Sequence, residues 1–261
     1  MDVQPSSDSS HENDDFAEYQ QQLALFSSCS TEKGIELLKI GMVMQSLDKR
    51  EAFLDIGAGG GHLTIPISQL FDRTTVVEPN PRQAGMFRSR CPGFRIYNDS
   101  WINVDPGSDR FDMILCSHVL YYIPDGAWMA TIEKMYCHLL PGGCLVIVMQ
   151  SPLGEVARFF NAFTTYDVPV IELVRAVIDH YGDKAVRLEY FQNEIFSKSL
   201  DEMTEIGLFL LIDPDFRKRS ADIRYYFQNH HAQAGGYRIR QDEILLVIQK
   251  PPSTAAAKIA D

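Results

Sequence analysis

The sequence predicts a mixed α/β fold, in which a mostly parallel sheet carries helices on both faces. Three observations predict it. Short apolar runs alternate with helical segments through residues 51–150, a glycine-rich turn at 57–61 joins the first run to a helix, and the second run ends at Glu78. Short apolar runs are typical of strands that are buried on both faces of a parallel sheet, and their alternation with helices indicates crossover connections.

The order of the elements follows from the same pattern. Strands are expected at 53–56, 74–78, 94–97, 111–116 and 144–149, and helices at 62–70, 81–90 and 128–140. Pro141-Gly142-Gly143 predicts the end of the last of these helices. In the second half we expect helices at 169–181, 201–211 and 216–231, and strands within 185–196 and 237–249.

Two further helices are expected before the sheet, at 16–26 and 31–47. Ser27-Ser28-Cys29 would separate them, and Ser30 would cap the second helix at its N-terminus. The apolar side chains that we expect to face inward from the second helix are Ile35, Leu38, Met42 and Met44.

Composition restricts the classes of function. The chain has 261 residues, of which 45% are hydrophobic, and its net charge of −11 disfavours nucleic acid, whose binders concentrate Lys and Arg. Its five cysteines form no CxxC pair, so neither a disulfide framework nor a metal site is expected. No apolar run is long enough to span a bilayer and no signal-peptide core is recognised, which predicts a cytoplasmic protein without membrane contact.

The glycine-rich turn indicates a nucleoside site. Its pattern is Asp55-x-Gly57-x-Gly59-x-Gly61, and glycines between a strand and a helix let the backbone approach a ligand closely. A carboxylate that ends the second strand, here Glu78, can accept hydrogen bonds from both hydroxyls of a ribose. The dinucleotide fingerprint would place a third glycine where this chain has His62, so a dinucleotide is disfavoured.

This pattern resembles motif I of the class I S-adenosylmethionine-dependent methyltransferases, and Glu78 resembles their motif II acid. The resemblance implies a Rossmann-like, seven-stranded methyltransferase sheet with one antiparallel strand near the C-terminus. It also implies S-adenosyl-L-methionine as cofactor and S-adenosyl-L-homocysteine as product. The alternative is a plain βαβ unit, in which the glycines serve only the turn.

The same resemblance assigns a cofactor site at the carboxyl ends of the strands. An acid near the glycine turn suits the cationic methionine end, a polar residue after the third strand would bond the adenine amino group, and Trp101 would pack on the adenine ring or fill a surface groove. The backbone after the fourth strand would face the ammonium or sulfonium. The expected cofactor residues are Asp55, Gly57, Gly59, Gly61, Glu78, Pro79, Asp99, Ser100, Trp101 and Ser117.

Three segments resemble the histamine N-methyltransferases. They are Ser30-Thr31-Glu32-Lys33, His118-Val119-Leu120-Tyr121-Tyr122 and the final apolar strand from Gln241 to Ile248. The resemblance implies a small amine or imidazole-type substrate, bound by Glu32. Two of the three contact positions differ, because His118 stands where the family has glutamine and the family's asparagine falls near Gln241 to Glu243.

Glu32 and His118 are therefore the expected catalytic residues, with Glu32 stabilising positive charge and His118 orienting the acceptor or removing a proton. The expected substrate-binding residues are Phe16, Tyr19, Glu32, His118, Tyr121, Tyr122, Asp242 and Glu243. Trp128 could join the aromatic residues in an enclosure that favours cations. Each residue also has a structural interpretation: a helix-end acid, a strand-end histidine, core aromatics, or exposed strand acids.

Two other functions stay open. One is a small-molecule O-methyltransferase of natural-product metabolism with His118 as base, and the other is a cofactor-binding subunit without chemistry of its own. We expect one methyltransferase domain over residues 15–250, between a disordered tail at 1–14 and a loose tail at 251–261. Within it, residues 15–50 would form a helical lid, 51–150 the cofactor-binding half, and 151–250 the substrate-side helices and C-terminal hairpin.

Overall fold

The computed structural model describes residues 20–165, 168–211 and 214–253. The chain divides into two compact units, and each is described by itself. The larger unit comprises Lys33–Gln192 and Asp242–Asp261, and the smaller unit comprises Met1–Glu32 and Asn193–Gln241.

The helices and strands alternate through the first 150 residues, as the sequence predicts. They are α1 (Glu32–Met44), β1 (Ala52–Ile56), α2 (Thr64–Ser68), β2 (Arg73–Val77), α3 (Pro81–Arg90), β3 (Arg95–Tyr97), β4 (Phe111–Ser117), α4 (Trp128–Cys137) and β5 (Leu139–Gln150). The later elements are α5 (Gly154–Phe163), α6 (Val170–Tyr181), β6 (Val186–Ser197), α7 (Leu200–Leu211), α8 (Ser220–His230), β7 (Ala232–Gln233) and β8 (Gly236–Gln249).

Seven strands form one sheet in the order β3-β2-β1-β4-β5-β8-β6, and the short β7 pairs with β8. The first five strands pair in parallel, and β8 pairs antiparallel with β5. The predicted fold, a mostly parallel sheet with one antiparallel strand near the C-terminus, is confirmed.

In the larger unit, alternate residues of the central strands β1, β4, β5 and β8 enter two separate hydrophobic clusters. Leu54, Ile114 and Leu246 belong to one cluster, while their neighbours Phe53 and Met113 belong to the other. Because successive strand residues point to opposite faces, these central strands are buried on both sides of the sheet. This explains why its strands read as continuous apolar runs in the sequence.

The smaller unit contains helical residues 20–29, α7, α8, β7 and the adjoining parts of β6 and β8. The rings of Phe26 and Phe209 lie 5.2 Å apart within it. Ser30 forms an isolated antiparallel bridge with Ile195. Its hydroxyl oxygen also accepts a hydrogen bond from the Glu32 N–H at 3.0 Å, so Ser30 binds the first N–H of α1, although the helix begins one residue later than predicted.

The predicted end of α4 at Pro141-Gly142-Gly143 is wrong. The helix ends at Cys137, and β5 already pairs through Leu139 with Phe111 before the register shifts. A Cβ atom at Gly143 would lie 2.8 Å from the Asp112 carbonyl oxygen, so close backbone approach requires glycine there. The Pro-Gly-Gly segment therefore forms an irregularity within a strand, not a helix stop.

Three other expectations differ from the structure. Residues 20–29 are helical through the predicted break at Ser27-Ser28-Cys29, and the expected start of that helix at 16–19 lies outside the described residues. Helix α5 was not predicted. The expected helix at 216–231 is a 3-10 turn, Pro214–Arg219, followed by α8. In the part of the chain that the structure describes, no helix combines the length and the hydropathy needed to cross a membrane.

Candidate active site

The turn after β1 depends on three glycines with positive φ angles: +72° at Gly57, +52° at Gly59 and +79° at Gly61. A Cβ atom at Gly57 would lie 2.4 Å from a Val119 methyl group, and one at Gly61 would lie 3.1 Å from the Phe87 ring. A Cβ atom at Gly59 would meet no atom of the described residues within 4 Å. The outer glycines thus permit close packing, while the middle one borders open space that a ligand can approach.

Glu78 follows β2 and holds this turn. Its side chain is buried, and its two carboxylate oxygens accept hydrogen bonds from the Gly59 and Asn80 N–H groups, each at 2.8 Å. Burial raises the pKa of Glu78, although the two backbone donors oppose the shift. Each carboxylate oxygen has a second lone pair, so the group can also accept from the two hydroxyls of a ribose.

Asn98, directly after β3, holds the segment that follows β2, and it is not among the residues predicted from the sequence. Its amide donates hydrogen bonds to the carbonyl oxygens of Glu78 and Pro79, both at 2.9 Å. Pro79 is thereby fixed beside Glu78. An asparagine directly after a short strand is a frequent turn residue and gave no distinctive sequence signal.

Asp55 lies at the centre of the β1 side of the site and is buried. The Thr64 hydroxyl donates a hydrogen bond to its carboxylate at 2.6 Å. Burial raises the pKa of Asp55 to about 7, and this bond only partly opposes the shift. Asp55 therefore joins β1 to the start of α2, and its predicted role toward the methionine end of the cofactor stays a prediction.

The loop after β3 presents its three predicted residues differently. Asp99 is exposed and accepts hydrogen bonds from the Ser100 N–H at 2.7 Å and the Asn103 amide at 2.9 Å, which lower its pKa. Ser100 is also exposed. Trp101 is only 3% exposed, and the Lys134 ammonium lies 4.7 Å from its ring centroid. So little free ring surface favours the groove-filling interpretation of Trp101 over adenine contact.

The segment after β4 lies beside the glycine turn, because Val119 packs against Gly57. The Ser117 hydroxyl donates a hydrogen bond to Glu36 at 2.8 Å. His118 has a φ angle of +56°, and its N–H donates to the Val148 carbonyl oxygen at 2.9 Å. A left-handed backbone is uncommon outside glycine and is found where surrounding structure imposes it, often at functional sites.

Two fully buried carboxylates lie next to the His118 ring. Its Nε2 atom lies 2.8 Å from an oxygen of Glu243, on β8, and 3.4 Å from an oxygen of Glu36, on α1. Both glutamate side chains have no solvent exposure, whereas the His118 side chain is 22% exposed. We call Glu36, His118 and Glu243 the acidic cluster. The interpretation of Glu243 as an exposed strand residue is wrong.

Glu36 remains charged despite its burial. Desolvation opposes its ionisation, but Lys33, whose ammonium lies 2.7 Å away, and His118 together lower its pKa to about 2. The donor atoms of the acidic cluster lie within 4.8 Å of one another. Glu36 is paired with the Lys33 ammonium, and the expectation that the site holds no metal stays a prediction.

The inner face predicted for α1 is right at Met44, which is buried, and at Ile35, which packs against the core, but it is wrong elsewhere and left Glu36 out. Leu38 and Met42, expected to face inward, are exposed, while Ile40 and Val43 are buried. Glu36 lies four and seven residues before these two and therefore shares their buried stripe. An acid within an apolar stripe at helical spacing was the signal that could have identified it.

Asp242 is oriented by structural contacts. Its carboxylate accepts a hydrogen bond from the Gln192 amide at 2.9 Å, and its carbonyl oxygen accepts from the Ser151 N–H at 2.8 Å. A Cβ atom at Gly154 would overlap the same carboxylate at 1.9 Å. Asp242 thus lies against the start of α5, and its substrate contact stays a prediction.

The aromatic candidates have different surroundings. Tyr121 packs against the core, its ring lies 6.0 Å from that of His118, and its hydroxyl accepts from the Gln150 N–H. Tyr122 is largely exposed. Trp128 is buried and its indole N–H donates to two backbone carbonyls at 2.9 Å, so it is a core residue and not part of an enclosure. Phe16 and Tyr19 lie outside the described residues.

In the smaller unit, Glu32 is buried at the first position of α1. Its carboxylate accepts a hydrogen bond from the Gln241 amide at 2.8 Å. Glu32 and Gln241 belong to the first and third segments of the histamine N-methyltransferase resemblance, which this contact does not confirm. A carboxylate in the first turn of a helix is also electrostatically favourable, so this contact leaves the catalytic role of Glu32 a prediction.

Comparison with known proteins decides the family. The family described as "Methyltransferase domain" matches residues 36–175, which is more than half of the chain. This chain belongs to the methyltransferase domain family. Such methyltransferases take their methyl group from S-adenosylmethionine, so the predicted cofactor is confirmed. The comparison with curated proteins finds no match.

Solved structures share the fold of this methyltransferase at low sequence identity. A Bacillus halodurans protein is 16% identical over 82% of this chain and 98% of its own, with a TM-score of 0.57. A SAM-dependent methyltransferase from Archaeoglobus fulgidus is 15% identical over 84% and 94%, with a TM-score of 0.54. NodS, an N-methyltransferase from Bradyrhizobium japonicum in complex with S-adenosylhomocysteine, is 20% identical over 84% and 86%, with a TM-score of 0.50.

The residues of this chain fit the cofactor. The open space beside Gly59 borders the turn, and Glu78 lies under it with hydrogen-bonding capacity for a ribose. When bound, S-adenosylmethionine supplies an electrophilic methyl group on a sulfonium. The roles of the individual cofactor residues remain predictions.

Proposed function

We propose that this methyltransferase transfers its methyl group to a nitrogen atom of a small amine or imidazole-type molecule. The observation that carries the proposal is the acidic cluster at the carboxyl edge of the sheet, next to the glycine turn. Ligands of open α/β sheets gather at this edge. The acceptor is therefore expected beside His118.

The charge of the cluster favours nitrogen over oxygen as the acceptor atom. A nitrogen acceptor gains positive charge as it reacts, and the buried carboxylates of Glu36 and Glu243 would stabilise that charge. A phenolate or carboxylate acceptor would be repelled by the same groups. NodS is described as an N-methyltransferase, which is compatible with this choice.

His118 would orient the acceptor or remove its proton, and the role requires no group beyond this chain and its cofactor. Positioning of the acceptor for in-line attack and exclusion of water would supply much of the acceleration. A small molecule is the expected partner. Nucleic acid is disfavoured by the net charge of −11, and a cytoplasmic location is carried over from the sequence as an expectation.

The test is methyl transfer from labelled S-adenosylmethionine to a panel of small amines, imidazoles, phenols and carboxylic acids. We expect labelled products among the amines or imidazoles, with the label on nitrogen by mass spectrometry and NMR. Label found only on oxygen would favour the alternative, an O-methyltransferase with His118 as base. Binding of S-adenosylhomocysteine without transfer to any acceptor would favour a non-catalytic subunit.

A prior test concerns the cofactor. Calorimetry should detect binding of S-adenosylmethionine and none of NAD, because His62 occupies the position where a dinucleotide site has its third glycine. Uptake of NAD without S-adenosylmethionine binding would reject the nitrogen-methylation proposal together with its cofactor.

A further inference from the structure

Both carboxylates of the acidic cluster lie close to the same ring nitrogen of His118. Glu243 lies 2.8 Å and Glu36 lies 3.4 Å from Nε2. Carboxylates are hydrogen-bond acceptors only, so their negative charges favour a proton on this nitrogen. The neutral imidazole then carries its lone pair on Nδ1, because only one ring nitrogen is protonated in that form.

The contacts of Glu36 fix its position as well as its charge. One of its oxygens accepts a hydrogen bond from the Ser117 hydroxyl at 2.8 Å, and the other accepts from Lys33 at 2.7 Å. Glu36 thus connects α1 with the end of β4, directly before His118. Its lowered pKa keeps it ionised around neutral pH.

The backbone of His118 is equally constrained. Its N–H bonds to Val148 on β5, and its positive φ angle sets the direction of the side chain. Three elements therefore hold this residue: α1 through Glu36, β5 through Val148 and β8 through Glu243. A ring held by both backbone and charge is suited to proton transfer, since general bases act at a defined distance and orientation.

We propose that Glu243 and Glu36 are positioning residues, which hold the proton of His118 on Nε2 so that Nδ1 is the atom that removes the acceptor proton. The inference rests on the proposed function. The acceptor nitrogen forms a bond to the methyl carbon with its lone pair, and the electrons of the broken carbon–sulfur bond pass to sulfur. The proton leaves the acceptor nitrogen for Nδ1, and the two carboxylates stabilise the imidazolium that results.

The first experiment determines the tautomer without any substrate. Protein labelled with ¹⁵N-histidine is studied by long-range ¹H–¹⁵N correlation, with and without S-adenosylhomocysteine, and His118→Asn serves only to assign the signal among the seven histidines. We expect Nε2 of the neutral ring to be of the protonated type and Nδ1 of the lone-pair type. A proton on Nδ1 instead would overturn the proposal.

The second experiment substitutes Glu243→Gln, which keeps the size of the side chain and removes its charge. We expect kcat to fall about 100-fold, as when the partner that orients a functional imidazole is lost, while S-adenosylhomocysteine affinity changes less than about twofold. Glu36→Gln should cause a smaller loss, because its oxygen lies farther from Nε2.

Asp112→Asn is the matched control. Asp112 is also a buried carboxylate, but it lies near the opposite end of β4 and accepts hydrogen bonds from the Glu51 and Ala52 N–H groups. It should lower stability without lowering kcat per folded molecule. Equal loss of kcat in both variants would assign Glu243 a structural role and overturn the proposal.

The pH dependence of kcat distinguishes the two roles of Glu243, because a purely structural residue would not change the pH at which His118 is protonated. Among the described residues of the larger unit, Glu36 on α1, Tyr121 after β4 and Glu243 on β8 face His118. Lys33 and Asp55 act on the charge of Glu36. Loss of one negative charge makes ring protonation less favourable. The acid limb of the Glu243→Gln profile should therefore move to lower pH, and an unmoved limb contradicts the proposal.

The outcomes separate this inference from the proposed function. If the tautomer and the Glu243→Gln effects are as expected but the label appears on oxygen, the positioning of His118 stands and nitrogen methylation fails. If the label appears on nitrogen and the proton is found on Nδ1, nitrogen methylation stands and the positioning role of Glu243 and Glu36 fails. A stoichiometric divalent ion in the purified protein, whose removal by EDTA changes the His118 signals, would also overturn the proposal.

Discussion

The turn after β1 and the segment after β4 lie side by side at the carboxyl edge of the sheet, but they are built differently. Backbone conformation and one acid, Glu78, form the turn, and all its parts lie within 24 residues of sequence, from Asp55 to Glu78. The acidic cluster consists of side chains at positions 36, 118 and 243. A site built from one short stretch of backbone, such as the glycine turn, can be recognised as a sequence motif. A cluster of side chains from distant parts of the chain cannot.

The largest expected effect is a loss of stability when the backbone of the glycine turn is changed. Gly57→Ala combines a left-handed residue with a methyl group 2.4 Å from Val119, and should lower the free energy of unfolding by about 2–5 kcal/mol. Urea denaturation measures it. Gly59→Ala is the control, because it has a positive φ angle without the clash, and should cost about 1–2 kcal/mol. Equal costs would show that close packing at Gly57 is unimportant.

The next effect concerns a side chain predicted to act on the acceptor. Glu32→Gln should reduce turnover of an amine about 100-fold, since a neutral amide cannot stabilise positive charge, and should leave S-adenosylmethionine affinity nearly unchanged. Steady-state kinetics and calorimetry measure the two quantities. Glu194→Gln, an exposed glutamate of the same unit, is the control. Unimpaired turnover would reject the role of Glu32.

A smaller effect is expected on cofactor affinity when Glu78 is changed. Glu78→Gln should weaken binding of S-adenosylhomocysteine about tenfold, because an amide offers one acceptor oxygen where the carboxylate offers two. Calorimetry compares it with Glu51→Gln, an exposed glutamate before β1. Undiminished affinity in Glu78→Gln would mean that the ribose hydroxyls bind elsewhere.

The smallest effect is a pH dependence of stability. The pKa of Asp55 is about 7 in the folded state and near 4 when unfolded, so the folded state binds more protons between these values. Stability should therefore fall as pH rises, by roughly 1 kcal/mol between pH 6 and 8, which corresponds to a few degrees in Tm.

Asp55→Asn removes the titrating group and should flatten this part of the profile. Thermal unfolding of both proteins at several pH values tests it, and the difference between them isolates Asp55 from the other titrating groups. Parallel profiles would contradict the raised pKa.

The comparison also explains what could be predicted from the sequence. The succession of strands and helices along the chain, the glycine turn and Glu78 depend on local patterns, and the fold and cofactor predictions are confirmed at that level. Glu36 was missed because residues on α1 were assigned to the wrong face, and the Pro-Gly-Gly segment was misread because a strand irregularity and a helix stop use the same residues. Which face of a helix is buried depends on tertiary packing, which one sequence does not display.

The positive φ angle of His118 has a consequence for the side chains that position 118 can accept. Asparagine and aspartate tolerate such a conformation, and glycine adopts it without cost, whereas valine, isoleucine and threonine do not. A saturation library at this codon should therefore retain folded members mainly with small or polar amides, acids and imidazole. A single substitution can therefore replace the imidazole by an amide or a carboxylate while the main chain is preserved.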